Sequence, residues 1–283
     1  MSLDALLLLI LAAGIHVTWN LIIKTRAMRL LVIWWALVLG GAVSLPLLWW
    51  YGGIPRTLLL FIGGSTLAEA LYYILLIRAY ERSDFSLVYP VARGFAPALL
   101  ALWSLVFLGE RPRAAGFAGI ALVLAGIVIV GTGGVILRRG SGAARSVIAA
   151  LAIGASTSVY SVVDAAAVRR FDPLLYMLTV FLATGLLITP AVIARYGART
   201  ALSGLGRMPL EVLAVAVLMP LGYVLVLHSY VLAPASYVGA IREISIVIAA
   251  LIGWRWLGEG FGVLRLSGSV LMFCGILLLA LAG

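Results

Sequence analysis

Long apolar runs, interrupted at short intervals by polar or charged residues, make up nearly the whole chain. About 20 apolar residues are enough to cross a bilayer as a helix, and the pattern predicts ten such helices. The predicted spans are 3–23, 30–51, 56–80, 85–108, 114–132, 146–168, 174–196, 210–232, 235–256 and 263–281. Turn residues such as Gly52-Gly53-Ile54-Pro55 separate several of them. The pattern therefore predicts an all-α membrane protein.

One arrangement of polar and glycine positions occurs twice in the chain. Arg93 is followed by Leu-Gly-Glu at 108–110, and Arg242 is followed by the same triplet at 257–259, at a constant offset of 149 residues. The preceding predicted helices end on matching tyrosines, Tyr80 in the first copy and Tyr230 in the second. Self-similarity at a fixed period is the sequence signature of an internal repeat.

The repeat divides the chain into two units of equal helix number. We predict a first five-helix repeat at 1–132, a linker at 133–145 and a second five-helix repeat at 146–283. Because five is odd, the second unit must enter the membrane from the opposite side, so the two repeats are inverted. Inverted repeats are typical of secondary transporters, which hold substrate near the midplane between them.

Composition excludes most other classes of protein. Hydrophobic residues make up 64% of the chain and charged residues 11%, which is too apolar for an ordinary soluble domain. The net charge of +10 comes from arginines scattered between apolar runs, so we expect no nucleic-acid partner. Cys274 is the only cysteine, which excludes an intrachain disulfide. The first apolar run lacks the basic start of a secretory signal and is predicted to be a retained span.

No catalytic constellation is present in the sequence. The chain has two distant histidines, one cysteine and no glycine-rich phosphate loop. We therefore expect no enzyme activity, no metal and no cofactor. A transporter of this kind would draw its energy from an ion gradient or from the gradient of the substrate itself.

The basic residues of the connections predict an orientation, because cytoplasmic loops carry an excess of Lys and Arg. The connections after odd-numbered predicted helices hold Lys24, Arg26, Arg29, Arg82, Arg138, Arg139, Arg145, Arg199 and Arg207. Those after even-numbered helices hold Arg56, Arg111, Arg113, Arg169 and Arg170. This bias predicts that both termini lie outside the cytoplasm.

Polar side chains within the predicted spans are the candidate substrate-binding or gating residues. An ionised group at the bilayer centre costs at least about 2.5 kcal/mol, so it normally faces the interior of the bundle. The candidates are His16, Trp19, Asn20, Glu69, Tyr73, Tyr89, Arg93, Tyr160, Asp164, Tyr223, Arg242 and Glu243.

Each candidate has a structural interpretation beside the functional one. Arg93 and Arg242 are either polar clamps between helices or guanidinium groups that bind a carboxylate or phosphate in the cavity. An ion pair of Glu69 with Arg93 would lock one conformation. Alternatively, Glu69 or Glu243 would carry a proton, since burial favours a neutral carboxyl group. His16 is an interhelical donor or a ligand contact, and the deeper tyrosines are expected to form cavity walls.

The fifth and tenth predicted helices are expected at the periphery. Their glycines, among them Gly119, Gly126, Gly268 and Gly275, permit close approach to a neighbouring helix. We predict that neither helix carries a charge at depth.

The repeated helix ends also resemble a known family. The residues that carry the resemblance are Phe107-Leu108-Gly109-Glu110-Arg111 and Trp256-Leu257-Gly258-Glu259, with Ala79-Tyr80 and Ser229-Tyr230 closing the third helix of each unit. In these features the chain resembles the ten-helix, EamA-type members of the drug/metabolite transporter superfamily. The resemblance implies a multi-pass carrier of small metabolites in a bacterial inner membrane, commonly an exporter, with a cavity lined by the first four helices of each unit. The resemblance points first to the bacterial amino-acid exporters of the family.

The predicted function is therefore secondary transport of a small polar metabolite, with amino-acid export by alternating access as the first hypothesis. The expected partners are a small-molecule substrate and the lipid bilayer, and we expect a monomer. Two alternatives stay open: a carrier of phosphorylated or nucleotide-linked metabolites, and a membrane enzyme or assembly subunit that acts on lipid.

Overall fold

The structure is a computed structural model that describes residues 3–50, 52–107, 114–135, 142–232, 244–258 and 262–282. Every regular element in these ranges is an α-helix. In chain order the helices are α1 Leu3–Thr25, α2 Arg29–Ala42, α3 Ser44–Trp50, α4 Arg56–Arg82, α5 Phe85–Phe107, α6 Ala114–Val135, α7 Gly142–Val168, α8 Pro173–Tyr196, α9 Ala198–Arg207, α10 Pro209–Leu232, α11 Ile244–Arg255 and α12 Gly262–Ala282.

Six helices in the described ranges are long and apolar enough to cross a membrane. They are Leu7–Thr25, Arg29–Trp50, Arg56–Arg82, Ala144–Val168, Pro173–Tyr196 and Pro209–Ser229. Three shorter apolar helices accompany them, at Ala114–Val130, Ser245–Arg255 and Gly262–Leu278. Large apolar side chains such as Leu60 and Leu186 point outward from the bundle. An outer surface of this kind suits lipid rather than water.

The second predicted span, 30–51, is interrupted in the structure. The helix breaks between Ala42 and Ser44, where Val43 keeps helical backbone angles but ends the regular hydrogen bonding. Pro46 lies four residues after Ala42, and a proline ring clashes with the carbonyl group four residues before it. The proline therefore accounts for the division of this span into α2 and α3.

Helix ends near the predicted linker also differ from the prediction. α6 continues to Val135 and α7 begins at Gly142, so helices take up both ends of the predicted linker at 133–145. The connection predicted between the spans 174–196 and 210–232 contains a further helix, α9. Its composition is polar and glycine-containing, so no apolar run marked it in the sequence.

Local signals explain where α8 begins and ends. The Asp172 side chain accepts a hydrogen bond from the backbone N–H of Leu175 at 2.8 Å, and Pro173 occupies the first helical position. This pairing of an N-cap carboxylate with proline suits a helix start. Gly197 ends the helix with φ = 79°, a backbone conformation that glycine adopts without strain.

The helices pack in a small number of long pairs. α6 lies along α12, α2 along α8, and α5 along α11. α4 contacts α7 and α8, while α10 contacts α1 and α2. α5 contacts α6, and α11 contacts α12. These pairings bring α1, α4, α5, α7, α8 and α10 around a common centre.

Glycines permit the close contact between α6 and α12. A Cβ atom added at Gly126 would lie 2.6 Å from the carbonyl oxygen of Gly268, and one added at Gly275 would lie 2.7 Å from that of Gly119. Backbones that approach this closely exclude any larger residue at the crossing. These glycines therefore bring α6, from the first half of the chain, into close contact with α12, from the second half.

α12 also contains a charged side chain that is buried in the protein, close to the start of the helix. The Arg265 side chain is only 2% exposed and forms an ion pair with Asp84, with Nη2 2.7 Å from Oδ2. Its Nη1 also donates to the hydroxyl group of Ser86. Its partners Asp84 and Ser86 lie at the start of α5, so the contact joins the beginnings of two helices.

Several connections meet at one end of the bundle. Lys24 Nζ donates to the carbonyl oxygens of Tyr80 and Ser83, and the Ser83 hydroxyl group contacts that of Ser146. Ion pairs join Arg26 to Glu211 at 3.4 Å and Arg195 to Glu81. We call this the basic end, after Lys24, Arg26, Arg29, Arg82, Arg145, Arg195, Arg199 and Arg207.

Candidate functional site

A partly enclosed cavity lies where α1, α4, α5, α7, α8 and α10 meet. Its lining residues are Ala12, His16, Trp19, Glu69, Tyr72, Tyr73, Arg93, Tyr160, Phe181, Met219, Gly222, Tyr223 and Val226. The cavity volume is about 30 Å³. A water molecule needs roughly 10–15 Å³ of such space, so this conformation has room for about two water molecules.

Seven of the residues predicted from the sequence line this cavity. They are His16, Trp19, Glu69, Tyr73, Arg93, Tyr160 and Tyr223. They come from α1, α4, α5, α7 and α10, and therefore from both halves of the chain. Polar positions at depth in separate apolar helices thus converge on one place.

The α1 candidates divide between the cavity and its neighbouring helices. The rings of His16 and Trp19 meet edge to face at 4.9 Å, and both line the cavity. Tyr89 of α5 is buried next to them, with its ring 6.1 Å from His16. Asn20 is fully buried and accepts a 2.9 Å hydrogen bond from the hydroxyl group of Tyr80, so it joins α1 to the end of α4.

Glu69 and Arg93 contribute a carboxyl group and a guanidinium group to the cavity. The Glu69 side chain is 3% exposed, and its Oε2 accepts a 3.4 Å hydrogen bond from Thr184 of α8. Arg93 of α5 is similarly buried. No ion pair joins these two described residues, so the predicted lock between them is not formed in this conformation. Both groups face a cavity that a polar molecule could enter.

Asp164 of α7 stands behind the cavity wall. It is fully buried, and its two carboxylate oxygens accept hydrogen bonds from different tyrosines. The Tyr176 hydroxyl group donates to Oδ1 at 2.6 Å, and that of Tyr223 donates to Oδ2. Since Tyr223 lines the cavity, it connects Asp164 to the cavity surface.

Aromatic rings form most of one wall. Tyr72 lies 4.9 Å from Tyr73 and 5.7 Å from Tyr160, measured between ring centroids. Tyr160 in turn lies 6.4 Å from Tyr223, which stacks on Phe181 at 5.9 Å. Edge and offset contacts at these spacings hold aromatic side chains in fixed orientations. The wall is therefore a continuous row of rings from both halves of the chain.

The sequence analysis missed several members of this site. Tyr72 follows Glu69 by three residues, a spacing that places both on one helix face, so its signal was available. Thr184 and Tyr176 offered only ordinary polar side chains within apolar helices. Phe181 and Met219 are apolar among apolar residues, and nothing in the sequence marked them.

Two of the predicted residues, Arg242 and Glu243, lie outside the described residues. The first Leu-Gly-Glu triplet and Glu259 also lie outside them. Within the part of the chain that is described, no three His, Cys, Asp or Glu side chains come together as a metal site would require.

Comparison with known proteins gives three results. The sequence model of the EamA-like transporter family matches the chain twice, over residues 3–132 and over residues 144–281. Comparison with curated proteins finds no match. Eleven chains of solved structures match, including one described only as the crystal structure of a protein. It is similar with a TM-score of 0.63 and 22% identity, covering 99% of this chain and 98% of that chain, a likeness that shows the fold alone.

Proposed function

The chain belongs to the EamA-like transporter family, whose members are transporters of small solutes rather than enzymes, and we propose that it exports an amino acid by alternating access. Membership makes it a multi-pass membrane protein with a small-molecule substrate. The proposal adds the substrate class, the direction and the mechanism. It also places the protein, as a monomer, in a bacterial inner membrane.

The observation that carries the proposal is the convergence of Glu69 and Arg93 on one cavity within an apolar bundle. Burying such groups is costly, so charged side chains within membrane spans usually mark a substrate or ion pathway. An amino acid carries an ammonium group and a carboxylate group. Glu69 is suited to the first and the guanidinium fork of Arg93 to the second.

The other lining residues have supporting roles in the proposal. His16 supplies a further polar contact, and Trp19, Tyr73, Tyr160 and Tyr223 form walls around the substrate. Three further residues lie behind the cavity wall and hold the helices that form it: Asn20, Tyr89 and Asp164. Arg242 and Glu243 are proposed to act from the second repeat.

We further propose ten spans in two inverted five-helix repeats, at 1–132 and 146–283. Two observations support this arrangement. The family model matches each half of the chain separately. Several helix pairs are also interchanged when α1, α2, α4, α5 and α6 are swapped with α7, α8, α10, α11 and α12. The pair of α4 and α7 becomes that of α10 and α1, and the pair of α4 and α8 becomes that of α10 and α2.

The size of the cavity supports a carrier rather than an open channel. A volume of about 30 Å³ is too small for an amino acid, so the bundle must open to admit one. Pro90 and Pro97 of α5 and Pro220 of α10 interrupt backbone hydrogen bonding in helices that form the cavity. Bending at these positions gives a route to opening on either side in turn.

A carrier of phosphorylated or nucleotide-linked metabolites is the main alternative. It needs a cavity dominated by positive charge. The described wall instead contains the carboxyl group of Glu69 as well as Arg93, and Asp164 accepts a hydrogen bond from Tyr223 behind it. This arrangement favours a zwitterion over a dianion.

Counterflow into liposomes tests the proposal directly. Purified protein is reconstituted with an unlabelled amino acid inside, and uptake of labelled amino acids from outside is measured across a panel. We expect accumulation of at least one, abolished by excess unlabelled substrate. Exchange of sugar phosphates with no exchange of any amino acid would replace the proposal with the alternative carrier.

Alternating access is tested separately at Met219, an uncharged residue of the cavity wall. A single cysteine at this position, in a Cys274→Ser background, is exposed to a bulky water-soluble thiol reagent. We expect slow labelling that substrate accelerates as the cavity opens. Labelling that is fast and independent of substrate would indicate a permanently open pore instead.

A further inference from the structure

The helix α9 lies between two helices that cross the membrane. It has ten residues, and at 1.5 Å per residue it is about 15 Å long, half the thickness of the hydrocarbon core. It follows α8 directly at Gly197 and is followed by α10 from Pro209. Since both neighbours are spans, α9 must lie at the membrane surface, at the basic end of the bundle.

One face of α9 is anchored to the first half of the chain. Ala201 is buried, and its carbonyl oxygen accepts a 2.9 Å hydrogen bond from Nε1 of Trp35 in α2. A Cβ atom added at Gly204 would lie 2.7 Å from Cδ2 of Leu31. This close contact fixes which side of α9 faces the protein.

The opposite face is exposed and carries Arg199, Leu202, Ser203 and Arg207. The helical spacing of these residues places them together on less than half of the circumference. Leu202 lies between the two arginines on this face and is 70% exposed. The outer face therefore combines apolar and cationic side chains, as helices that lie in a membrane interface do.

The two arginines of α9 differ from the two arginines of the basic end that form ion pairs. Arg26 pairs with Glu211 and Arg195 pairs with Glu81. Among the described residues, no ion pair or side-chain hydrogen bond is formed by Arg199 or Arg207. Their positive charge is thus uncompensated within this part of the protein and is directed outward.

Among the described residues of the first half, α3 completes the second span and no separate surface helix stands between that span and α4. The connection that leads to α4 is short, and its described residues are Gly52, Gly53, Ile54 and Pro55, with Gly52 and Gly53 at positive φ. An element present in one half only is not required by the shared five-helix arrangement. Its exposed charge therefore calls for a separate explanation.

We propose that the outer face of α9 is a binding surface for anionic phospholipid headgroups. Arg199 and Arg207 contact the phosphate groups, and Leu202 enters the upper part of the acyl region. The charges are complementary, and the anchored inner face holds the arginines in place without further ordering of the backbone. This surface lies apart from the central cavity, and its occupancy does not depend on the identity of the transported substrate.

Lipid-dependent fluorescence quenching tests the proposal on the full-length protein. A Ser203→Cys variant in the Cys274→Ser background is labelled with nitrobenzoxadiazole and reconstituted in phosphatidylcholine vesicles. Brominated phosphatidylglycerol or brominated phosphatidylcholine is then added at the same mole fraction. We expect stronger quenching by the anionic lipid, reflecting local enrichment of about five-fold for each arginine at low salt, and a decline as salt rises.

Matched variants and a soluble competitor separate the possible outcomes. The double variant Arg199→Gln, Arg207→Gln should be quenched equally by the two brominated lipids. The control variant Arg56→Gln, Arg169→Gln changes two exposed arginines outside the basic end and should keep the stronger quenching by the anionic lipid. Equal quenching in the unsubstituted helix, or none by either lipid, would overturn the proposal. Loss of the preference on adding soluble glycerol phosphate would also overturn it, because it would indicate a site for free anions.

Discussion

Arg265 of α12 and Asp84 at the start of α5 form an ion pair with a nitrogen-to-oxygen distance of 2.7 Å, and the arginine side chain is almost completely buried. The pair joins the last helix of the chain to a connection in its first half. A buried cation that loses its partner keeps its desolvation cost without compensation. The contact is therefore expected to stabilise the packing of α12 at the basic end.

Substituting Asp84→Asn should lower the stability of the protein measurably. Asparagine caps a helix about as well as aspartate, so the change removes the charge and keeps the helix start. Because the Asp84 side chain is 26% exposed, we expect a loss of about 1–3 kcal/mol, less than for a fully buried pair. Thermal unfolding of purified protein in detergent measures it. The control Glu81→Gln breaks the more exposed ion pair with Arg195 and should lower stability by about 0–1 kcal/mol. Equal losses of stability in Asp84→Asn and Glu81→Gln would contradict the interpretation.

Replacing Arg93 should weaken substrate binding according to the hydrogen bonds that the new side chain can make. Loss of a charge-assisted hydrogen bond costs about 1.5–3 kcal/mol, so Arg93→Gln should raise KM by roughly ten-fold to a hundred-fold. Arg93→Lys keeps the charge but not the planar fork, so its KM should lie between that of the unsubstituted protein and that of Arg93→Gln. Initial rates of counterflow against substrate concentration provide the measurement. Arg170→Gln, on an exposed connection, is the control, and an unchanged KM in Arg93→Gln would remove Arg93 from the site.

The two tyrosines that donate to Asp164 should be separable by function. Tyr223 lines the cavity, whereas Tyr176 is not among the residues found to line it. Each change to phenylalanine removes one donor from a buried carboxylate and should cost about 1–3 kcal/mol of stability. Only Tyr223→Phe should also change KM. Thermal unfolding and counterflow are compared for both variants, and equal shifts in KM would show that the hydroxyl groups act on substrate only through Asp164.

The contact between α6 and α12 should tolerate no added methyl group at Gly126. A Cβ atom there would lie 2.5 Å from Cγ of Met272 and 2.6 Å from the carbonyl oxygen of Gly268. Gly126→Ala should therefore destabilise the protein by about 1–3 kcal/mol, as overpacking usually does. Gly63→Ala is the matched control, since nothing lies within 4 Å of a Cβ atom there and alanine favours a helix by about 1 kcal/mol. A lower unfolding temperature for Gly63→Ala than for Gly126→Ala would contradict this account.

The sequence predicted the centre of the molecule better than its edges. Glu69, Arg93 and Tyr160 are conspicuous because each is a polar interruption of an apolar run, and such groups are driven to a shared interior. Phe181 and Met219 face the same cavity but carry no polar group, so only the packing of their helices reveals them.

At the ends of the bundle, contacts between distant segments decide the structure. α9 packs against Trp35 and Leu31 of α2. Its own residues contain no apolar run that would predict a helix. Arg265 is buried because Asp84 and Ser86 meet it from the other half of the chain. Neither relationship is visible in a window of sequence around the residue concerned.

The small volume of the central cavity also bears on whether the protein leaks ions across the membrane. A continuous file of water through the bundle would conduct ions and dissipate the membrane potential. A cavity that holds about two water molecules is too small to contain such a file by itself. If the protein works as the proposed carrier, charge would cross only together with a rearrangement of the helices.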